Sequence, residues 1–420
     1  MVLGINISVT VVMLGIILWG SKFAGFGKEC FHNDFMGVDN TKSIRGLAAI
    51  GVILHHISQD SYFQNTGTIN AFVNVGPLMV AIFFFFSGFG LMKNHISKEN
   101  YLEGFLKKRL VKGLLITFYI NALIYIVFYW IKNGSYEPIK LVTDILGLTL
   151  SDWYAWFPVV LSLFYLAFYF VFKNVKNVKI GIFIMLIFTL AQGMFFCVSG
   201  HFAWWSGEKN WWLNPMQMGK AKWWQQEHII WFFGEWWVNS SIAFIVGLVF
   251  AYAEDKIVPC LKKMYWTGLV LTLVLWRVST FIFWKVSIKY GYYTEWSGKG
   301  PGITDKMITY VSYLPVIIFY ILFIVMLMMK IKTSNPITRF FGKYSLDTYL
   351  VNLMALEIFK FVITDKRGNP LKKGDYHLVI YILAVFAVTL ILAKIQNVIV
   401  SKVKTISSKH TGTAGSAKNK

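Results

Sequence analysis

The chain has 420 residues, of which 56% are hydrophobic and 15% are charged. A soluble domain usually carries about 25% charged residues. The composition therefore excludes a soluble enzyme, a disordered chain and a fibrous protein. The formal net charge is +21, and the basic residues form short clusters between apolar stretches, which favours anionic lipid or an anionic cofactor over nucleic acid as a partner. The three cysteines are far apart and indicate neither a disulfide framework nor a zinc site. The composition predicts an all-α, polytopic transmembrane helix bundle.

A bilayer core about 30 Å thick requires roughly 20 apolar residues per helix. This criterion predicts about eleven spans, over residues 4–20, 44–58, 76–92, 111–131, 156–173, 178–200, 232–253, 265–284, 311–329, 344–362 and 377–400. The second span is the shortest, so we expect it inside the bundle. The first has no basic segment before it and no clear cleavage site after it, which predicts a retained helix and not a signal peptide.

Loop charge predicts the orientation, because cytoplasmic loops are enriched in Lys and Arg. One set of alternating segments holds 25 of the 41 Lys and Arg residues: 21–45, 93–112, 173–179, 254–264, 330–343 and 401–420. The other set holds 13: 132–155, 201–231, 285–310 and 363–376. We therefore predict an external N-terminus and a cytoplasmic C-terminus. Residues 401–420 are polar and basic, which predicts a disordered tail.

An external stretch is unusually rich in tryptophan. Residues 201–237 contain nine: Trp204, Trp205, Trp211, Trp212, Trp223, Trp224, Trp231, Trp236 and Trp237. Tryptophan gathers at membrane interfaces, so an aromatic belt explains many of them. The alternative is a carbohydrate-binding surface, on which indole rings stack against sugars and nearby amides bond to hydroxyls.

The second span carries two ionisable residues where a lipid environment disfavours them. Arg45 and His56 are eleven residues apart, so they share a helix face and lie roughly 16 Å apart along the axis. Arg45 is then near the cytoplasmic boundary and His56 deep in the bilayer, a placement that marks a pathway or a reaction centre. A snorkelling arginine and a histidine bonded to another helix would be the structural alternative. His55 points elsewhere and is expected to be structural.

Two features follow in the next spans. Ser87 and Gly88 end a run of phenylalanines, which predicts close helix packing or, alternatively, the close approach of a ligand. Lys108, Arg109 and Lys112 begin the fourth span within about one helical turn. Positive-inside anchoring explains these cations, but they could also bind phosphates.

Together these residues resemble the acyltransferase-3 family of integral membrane O-acyltransferases, which modify cell-envelope glycans. The resemblance is carried by Arg45 with His56, the Phe-rich run ending in Ser87-Gly88-Phe89, and the basic start of the next helix. Later segments are similar to further family motifs: Trp153–Pro158, Trp236–Gly247 and Phe341–Leu350. Four positions depart from the family pattern. Ala81 replaces an acidic residue, Lys112 an arginine and Asn352 a histidine. A glutamate that is common in one branch of the family would align near Leu161, where this chain has none.

The resemblance implies three parts: an additional N-terminal helix and loop over residues 1–43, a ten-helix acyltransferase domain over 44–400, and the tail. It implies O-acetylation of a polysaccharide or lipid-linked sugar by acetyl-CoA or another acyl-CoA in a bacterial inner membrane. The histidines lack a ligand set at helical spacing, so we expect no metal. Arg45 and His56 would be catalytic, with His56 as general base. Arg45, Ser87, Lys108, Arg109 and Lys112 would bind the donor. Trp236, Trp237, Asn239 and Tyr349 would bind the acceptor.

Several alternatives stay open at this point. Ser87, Asn239 and Tyr349 are candidates for the oxyanion donor, and Asp347, Glu357 and Glu235 for orienting the imidazole. A secondary transporter or flippase could use Arg45 and His56 as a relay, although we find no internal repeat and few buried acids. A receptor or scaffold could bind glycan without turnover. Membrane lipid is an expected partner, and a homo-oligomer is compatible with the sequence.

Overall fold

The computed structural model describes residues 2–60, 63, 66–146, 150–199, 240–290, 303–364 and 376–416. The α-helices are α1 Val2–Leu18, α2 Val38–Ser58, α3 Gly76–Ser97, α4 Ile116–Asn133, α5 Pro138–Ile145, α6 Trp156–Asn174, α7 Val178–Ser199, α8 Ile242–Tyr252, α9 Glu254–Lys263, α10 Tyr265–Tyr290, α11 Ile303–Lys330, α12 Pro336–Lys343, α13 Ser345–Phe359 and α14 Tyr376–Ser416. A π-helix, Leu106–Leu115, leads into α4, and 3-10 turns cover Asn70–Phe72, Trp153–Ala155 and Lys360–Val362. Two short strands, β1 Lys22–Phe23 and β2 Ile331–Lys332, pair antiparallel.

The helical, multispan architecture is confirmed. In the part of the chain that the structure describes, six helices are long and apolar enough to cross a membrane: Gly76–Ser97, Leu106–Asn133, Trp156–Asn174, Tyr265–Tyr290, Met307–Lys330 and His377–Ser407. Shorter apolar helices cover Leu3–Leu18, Val178–Met194 and Ile242–Tyr252. The count of eleven spans stays a prediction.

Three boundaries differ from the sequence expectation. Helix α2 begins at Val38, six residues early, with Asp39 in its first turn, where a carboxylate favours a helix N-terminus. The fourth span begins as a π-helix over Leu106–Leu115 instead of an α-helix. Helix α14 continues past residue 400 to Ser416, so the described part of the predicted disordered tail is helical. Residues 401–411 contain neither Gly nor Pro, and nothing in them stops the helix.

Segments that loop charge assigns to the cytoplasm come together at one end of the bundle. Strands β1 and β2 join residues 21–37 to 330–335. Lys330 is buried there, and its ammonium donates to the carbonyls of Gly25, Gly27 and Cys30 at 2.7–2.8 Å. Lys93 and Glu254 form an ion pair at the same level, joining α3 to α9. A buried ammonium with three carbonyl acceptors is well satisfied, so this end of the bundle is held together by polar bonds.

Two reciprocal glycines bring α3 and α8 into backbone contact. A Cβ on Gly88 would overlap the Phe244 carbonyl of α8, and a Cβ on Gly247 would overlap the Phe85 carbonyl of α3. Small residues at such positions allow helices in a membrane to approach closely. Gly88 therefore serves close packing, while its neighbour Ser87 faces a cavity described below.

We expect Gly88→Val to destabilise the protein strongly, because the added side chain meets rigid backbone and must push α8 away. Overpacking in a filled core typically costs about 1–3 kcal/mol. The unfolding midpoint in detergent measures this effect. Gly90→Ala on the same helix is the control, since a Cβ there meets no atom within 4 Å. Equal midpoints for the two variants would contradict the close approach.

Candidate active site

His56 lies near the end of α2 and is held by an amide of α13. The Nδ1 atom of His56 is 2.7 Å from Oδ1 of Asn352. The Asn352 amide nitrogen donates to the carbonyls of Thr348 and Tyr349 in its own helix, which fixes the orientation of the amide. Because an amide oxygen only accepts hydrogen bonds, Nδ1 of His56 carries the proton. In the neutral ring, Nε2 is then the basic nitrogen.

An aromatic ring fixes the plane of the same imidazole. The Tyr154 ring stacks on His56 with centroids 3.5 Å apart and an angle of 9° between the planes. The neighbouring His55 is oriented differently, since its Nδ1 donates to the Phe72 carbonyl at 3.1 Å. This bond joins His55 to the 3-10 turn Asn70–Phe72, and a structural role for His55 stays a prediction.

A cavity of about 380 Å³ lies against His56, and we call it the histidine pocket. It is lined by Val52, His55, His56, Gln59, Gly76, Pro77, Val80, Tyr154, Trp156 and Tyr349. These residues come from α2, α3, α13 and the 3-10 turn with the start of α6. The imidazole of His56 therefore faces a cavity with a largely aromatic and aliphatic wall, and it does not face lipid.

A second cavity of about 560 Å³ lies against Arg45, and we call it the basic pocket. Arg45 and Arg109 both line it, together with Ser87 and Tyr165, which are hydrogen-bonded to each other at 2.8 Å. Its remaining wall includes phenylalanines of the Phe-rich run on α3. Two guanidinium groups in the lining of a cavity with phenylalanine walls can bind an anionic ligand with an apolar or neutral extension.

Tyr349 is the residue that the linings of the two pockets share. Its side chain is buried, with its ring 6.3 Å from the His56 ring and packed edge-on against Phe157 at 5.6 Å. The predicted pairing of Arg45 with His56 on one helix therefore extends from one cavity into the next.

The other predicted site residues are distributed unevenly. Lys108 lines a third cavity, which has a volume of about 390 Å³ and is formed by residues 98–109. Arg109 lines both this cavity and the basic pocket. Lys112 lines none of these three cavities. Trp236, Trp237 and Asn239, like the rest of the tryptophan-rich stretch, lie outside the described residues. Of the acids considered for orienting the imidazole, Glu357 pairs with Lys132 and Asp347 accepts from Gln396 and Asn397.

A buried carboxyl supports the stacked tyrosine. Asp152 caps the 3-10 turn by accepting from the Tyr154 backbone N–H at 3.0 Å, and it accepts from the Asn121 amide at 2.9 Å. Burial raises the pKa of Asp152 to about 8, against the opposing effect of these two donors. Asp152 lies between two spans, and its protonation state is therefore coupled to the stability of this turn.

This shift predicts a pH dependence that Asp152→Asn removes. Between about pH 4 and pH 8 the unfolded carboxyl has lost its proton and the folded one has kept it, so wild-type stability falls as the pH rises. The effect approaches roughly 1.4 kcal/mol per pH unit. An Asn at this position can keep the bond from the Tyr154 N–H through its Oδ1. Its amide nitrogen can donate to Asn121 Oδ1, which is buried without a partner among the described residues, once the Asn121 amide has rotated. Unfolding midpoints of both proteins from pH 5 to pH 8 should diverge; a constant difference would contradict the raised pKa.

Sequence reasoning missed three of these residues. In the sequence, Asn352 stands out only because it replaces a histidine of the family pattern. Its spacing of three from Tyr349 nevertheless places both residues on one helix face. Tyr154 lay within a recognised aromatic motif, without a signal for stacking on His56. Asp152 preceded that motif as an ordinary loop acid. A turn-capping Asp directly before an aromatic helix start is the signal that could have identified it.

A comparison with known protein families gives a match over most of the chain. The family model described as an acyltransferase domain, that of the acyltransferase-3 family, matches residues 41–395. The chain belongs to the acyltransferase-3 family. No curated protein and no solved structure is detectably similar to it. The matched range of this acyltransferase contains Arg45, His56, Arg109 and Tyr349.

Membership of the acyltransferase-3 family identifies the chain as a membrane acyltransferase and requires an acyl donor. Helix α1 lies outside the matched range, and an additional N-terminal element stays a prediction. In the described ranges, no group of three or more His, Cys, Asp or Glu residues could hold a metal ion.

Proposed function

We propose that this acyltransferase moves an acyl group, acetyl in the simplest case, from cytoplasmic acyl-CoA to a hydroxyl of an extracytoplasmic carbohydrate. The observation that carries the proposal is the pair of pockets that meet at Tyr349. One pocket holds two guanidinium groups, and the other holds an imidazole of defined tautomer. This division matches a donor that is anionic at one end and reactive at the other.

The donor's chemistry fits the basic pocket. The phosphates of CoA would bind Arg45 and Arg109 through charge-assisted hydrogen bonds. The pantetheine arm is long, thin and neutral, and it would follow the phenylalanine wall of α3 toward Tyr349. The thioester would then lie beside His56, roughly 16 Å from Arg45 along α2.

His56 would act as a general base through Nε2. In this step Nε2 takes the proton of the acceptor hydroxyl while the hydroxyl oxygen attacks the thioester carbonyl. The tetrahedral intermediate collapses, the C–S bond breaks, and the leaving thiolate takes the proton back from His56. The products are the ester and free CoA, and the imidazole returns to its starting state. Asn352 would stabilise the transient imidazolium by accepting from Nδ1 throughout.

Direct transfer is the simplest route in this pocket. The described residues lining it include no Ser, Thr or Cys that would form a covalent acyl intermediate. Tyr349 borders both pockets, and its hydroxyl is a candidate donor to the developing oxyanion. Trp156 lines the histidine pocket, and with Trp236, Trp237 and Asn239 it would offer stacking and amide groups to a sugar.

Transfer in proteoliposomes tests the proposal. Purified protein is supplied with radiolabelled acetyl-CoA on one side and a cell-envelope polysaccharide fraction on the other. We expect labelled, base-labile ester on the polysaccharide and stoichiometric release of CoA thiol. Labelled ester without dependence on acetyl-CoA, or none with any donor, would refute it.

The same vesicles separate the proposal from a transporter. A proton-coupled transporter or flippase would accumulate sugar or lipid-linked sugar without releasing CoA thiol. A glycan-binding scaffold would retain polysaccharide on the vesicles and leave acetyl-CoA intact. Either result with active, folded protein would replace acyl transfer as the function.

A further inference from the structure

Two buried polar side chains on α4 lie one helical turn apart and reach toward opposite partners of His56. They are Asn121 and Tyr125, and both are fully buried. Buried polar groups are costly in a membrane-spanning helix and usually serve a specific function there. Because residues at i and i+4 share a helix face, the two side chains act from the same side of α4.

Tyr125 inserts into the backbone of α13. Its hydroxyl donates to the Leu350 carbonyl at 3.0 Å and accepts from the Met354 N–H at 2.8 Å. Those two groups are four residues apart and would bond to each other in a regular α-helix. A side chain inserted into this ladder bends or opens the helix locally. Asn352, the hydrogen-bond partner of His56, lies within this turn, between Leu350 and Met354.

Asn121 supports the other partner of the imidazole. Its amide donates to Asp152 at 2.9 Å, and Asp152 in turn accepts from the backbone N–H of Tyr154. Tyr154 is the ring stacked on His56. The route from α4 to the imidazole therefore consists of two hydrogen bonds and one ring contact.

We propose that Asn121 and Tyr125 are positioning residues for His56: Tyr125 sets the Asn352 amide that fixes the tautomer, and Asn121 sets the Tyr154 ring that fixes the plane. The catalytic consequence rests on the proposed function of His56 as the base. Neither residue needs to contact a substrate. Both act by holding the imidazole so that Nε2 faces the histidine pocket.

Tyr125→Phe tests the first arm, since it keeps the ring and removes only the inserted hydroxyl. The Leu350 carbonyl and the Met354 N–H then bond to each other, and Asn352 moves relative to His56. We expect kcat to fall about 10–100-fold, as for other small misplacements of catalytic groups. The KM for acetyl-CoA should change less than about twofold, because the basic pocket is untouched.

Tyr381→Phe is the matched control. Its buried hydroxyl also donates to α13, to the Leu356 carbonyl at 3.4 Å, but it is not inserted between bonded partners. We expect near wild-type kcat from it. A Tyr125→Phe variant with no larger kcat loss than Tyr381→Phe would overturn the proposal.

A double-mutant cycle separates positioning from general destabilisation. If Tyr125 acts through Asn352, then Tyr125→Phe should add little to the kcat loss of Asn352→Leu. Additive losses would contradict this route. Asn121→Leu tests the second arm and should add to Tyr125→Phe, because the two arms hold different sides of the ring.

The ¹⁵N spectrum of labelled histidine gives a readout that needs no turnover. The His56 signals are assigned by their loss in His56→Gln. Wild type should show the Nδ1–H tautomer, and Tyr125→Phe should show a mixture, while Tyr381→Phe should match wild type. An unchanged tautomer in Tyr125→Phe overturns the positioning role. If wild type transfers no acyl group, the proposed function fails and the spectrum still decides whether Tyr125 positions His56.

Discussion

Replacing His56 by glutamine should abolish acyl transfer while leaving the protein folded and inserted. The amide can occupy the ring's place and donate to Asn352, but it has no nitrogen able to accept the proton of a hydroxyl. General-base catalysis typically contributes about 10²–10⁴-fold to the rate. We therefore expect kcat to fall by at least about a hundredfold. His56→Ala should be equally inactive.

The measurement is ester formation from labelled acetyl-CoA, together with donor affinity for the same protein. Donor affinity should remain near the wild-type value, because the guanidinium groups bind at the other pocket. His95→Gln is the control, since His95 is a half-buried histidine of α3 that packs against Phe168 and Phe172. Full product from His56→Gln would contradict the base role, even if donor binding and family membership held.

The sequence alone predicted the features that depend on local spacing. The distance from Arg45 to His56 follows from helix geometry, and both residues do line pockets that meet at Tyr349. The alternatives for Ser87 and Gly88 turn out to be compatible, because adjacent residues on a helix face different directions. Gly88 packs against α8, while Ser87 lines the basic pocket.

The residues that hold the imidazole could not be predicted in the same way. Asn352 is almost three hundred residues from His56 in the chain, and the pairing depends on how α13 packs on α2. The π-helix at Leu106–Leu115 is another case, since no residue type specifies it. A π-helix changes the angle between successive side chains. In this π-helix Arg109 lines the basic pocket and Lys108 lines the cavity formed by residues 98–109. Lys112 lines neither of the two cavities.

Arg45→Gln and Arg109→Gln should weaken the binding of acetyl-CoA and leave the binding of the acceptor unaffected. In the proposed complex each guanidinium would make charge-assisted hydrogen bonds worth about 1.5–3 kcal/mol, so the KM for acetyl-CoA should rise roughly 10–100-fold. Lys107→Gln is the matched control from the same π-helix, since it removes a cation that lines none of the three cavities. The placements above predict a graded series in which Lys108→Gln is weaker than Arg109→Gln and Lys112→Gln weaker still.

A truncated donor makes this test specific for the phosphates. S-acetyl-pantetheine has the thioester and the arm but lacks the nucleotide, so its KM should be high and insensitive to Arg45→Gln and Arg109→Gln. Raising the ionic strength should increase the KM for acetyl-CoA in wild type far more than for the truncated donor, because salt screens the charged contacts. Equal sensitivity of the two donors to the arginine variants would place the phosphates elsewhere. In that case the arginines would act on the thioester or on the fold, and the direction of the arm between the two pockets would have to be reversed or abandoned.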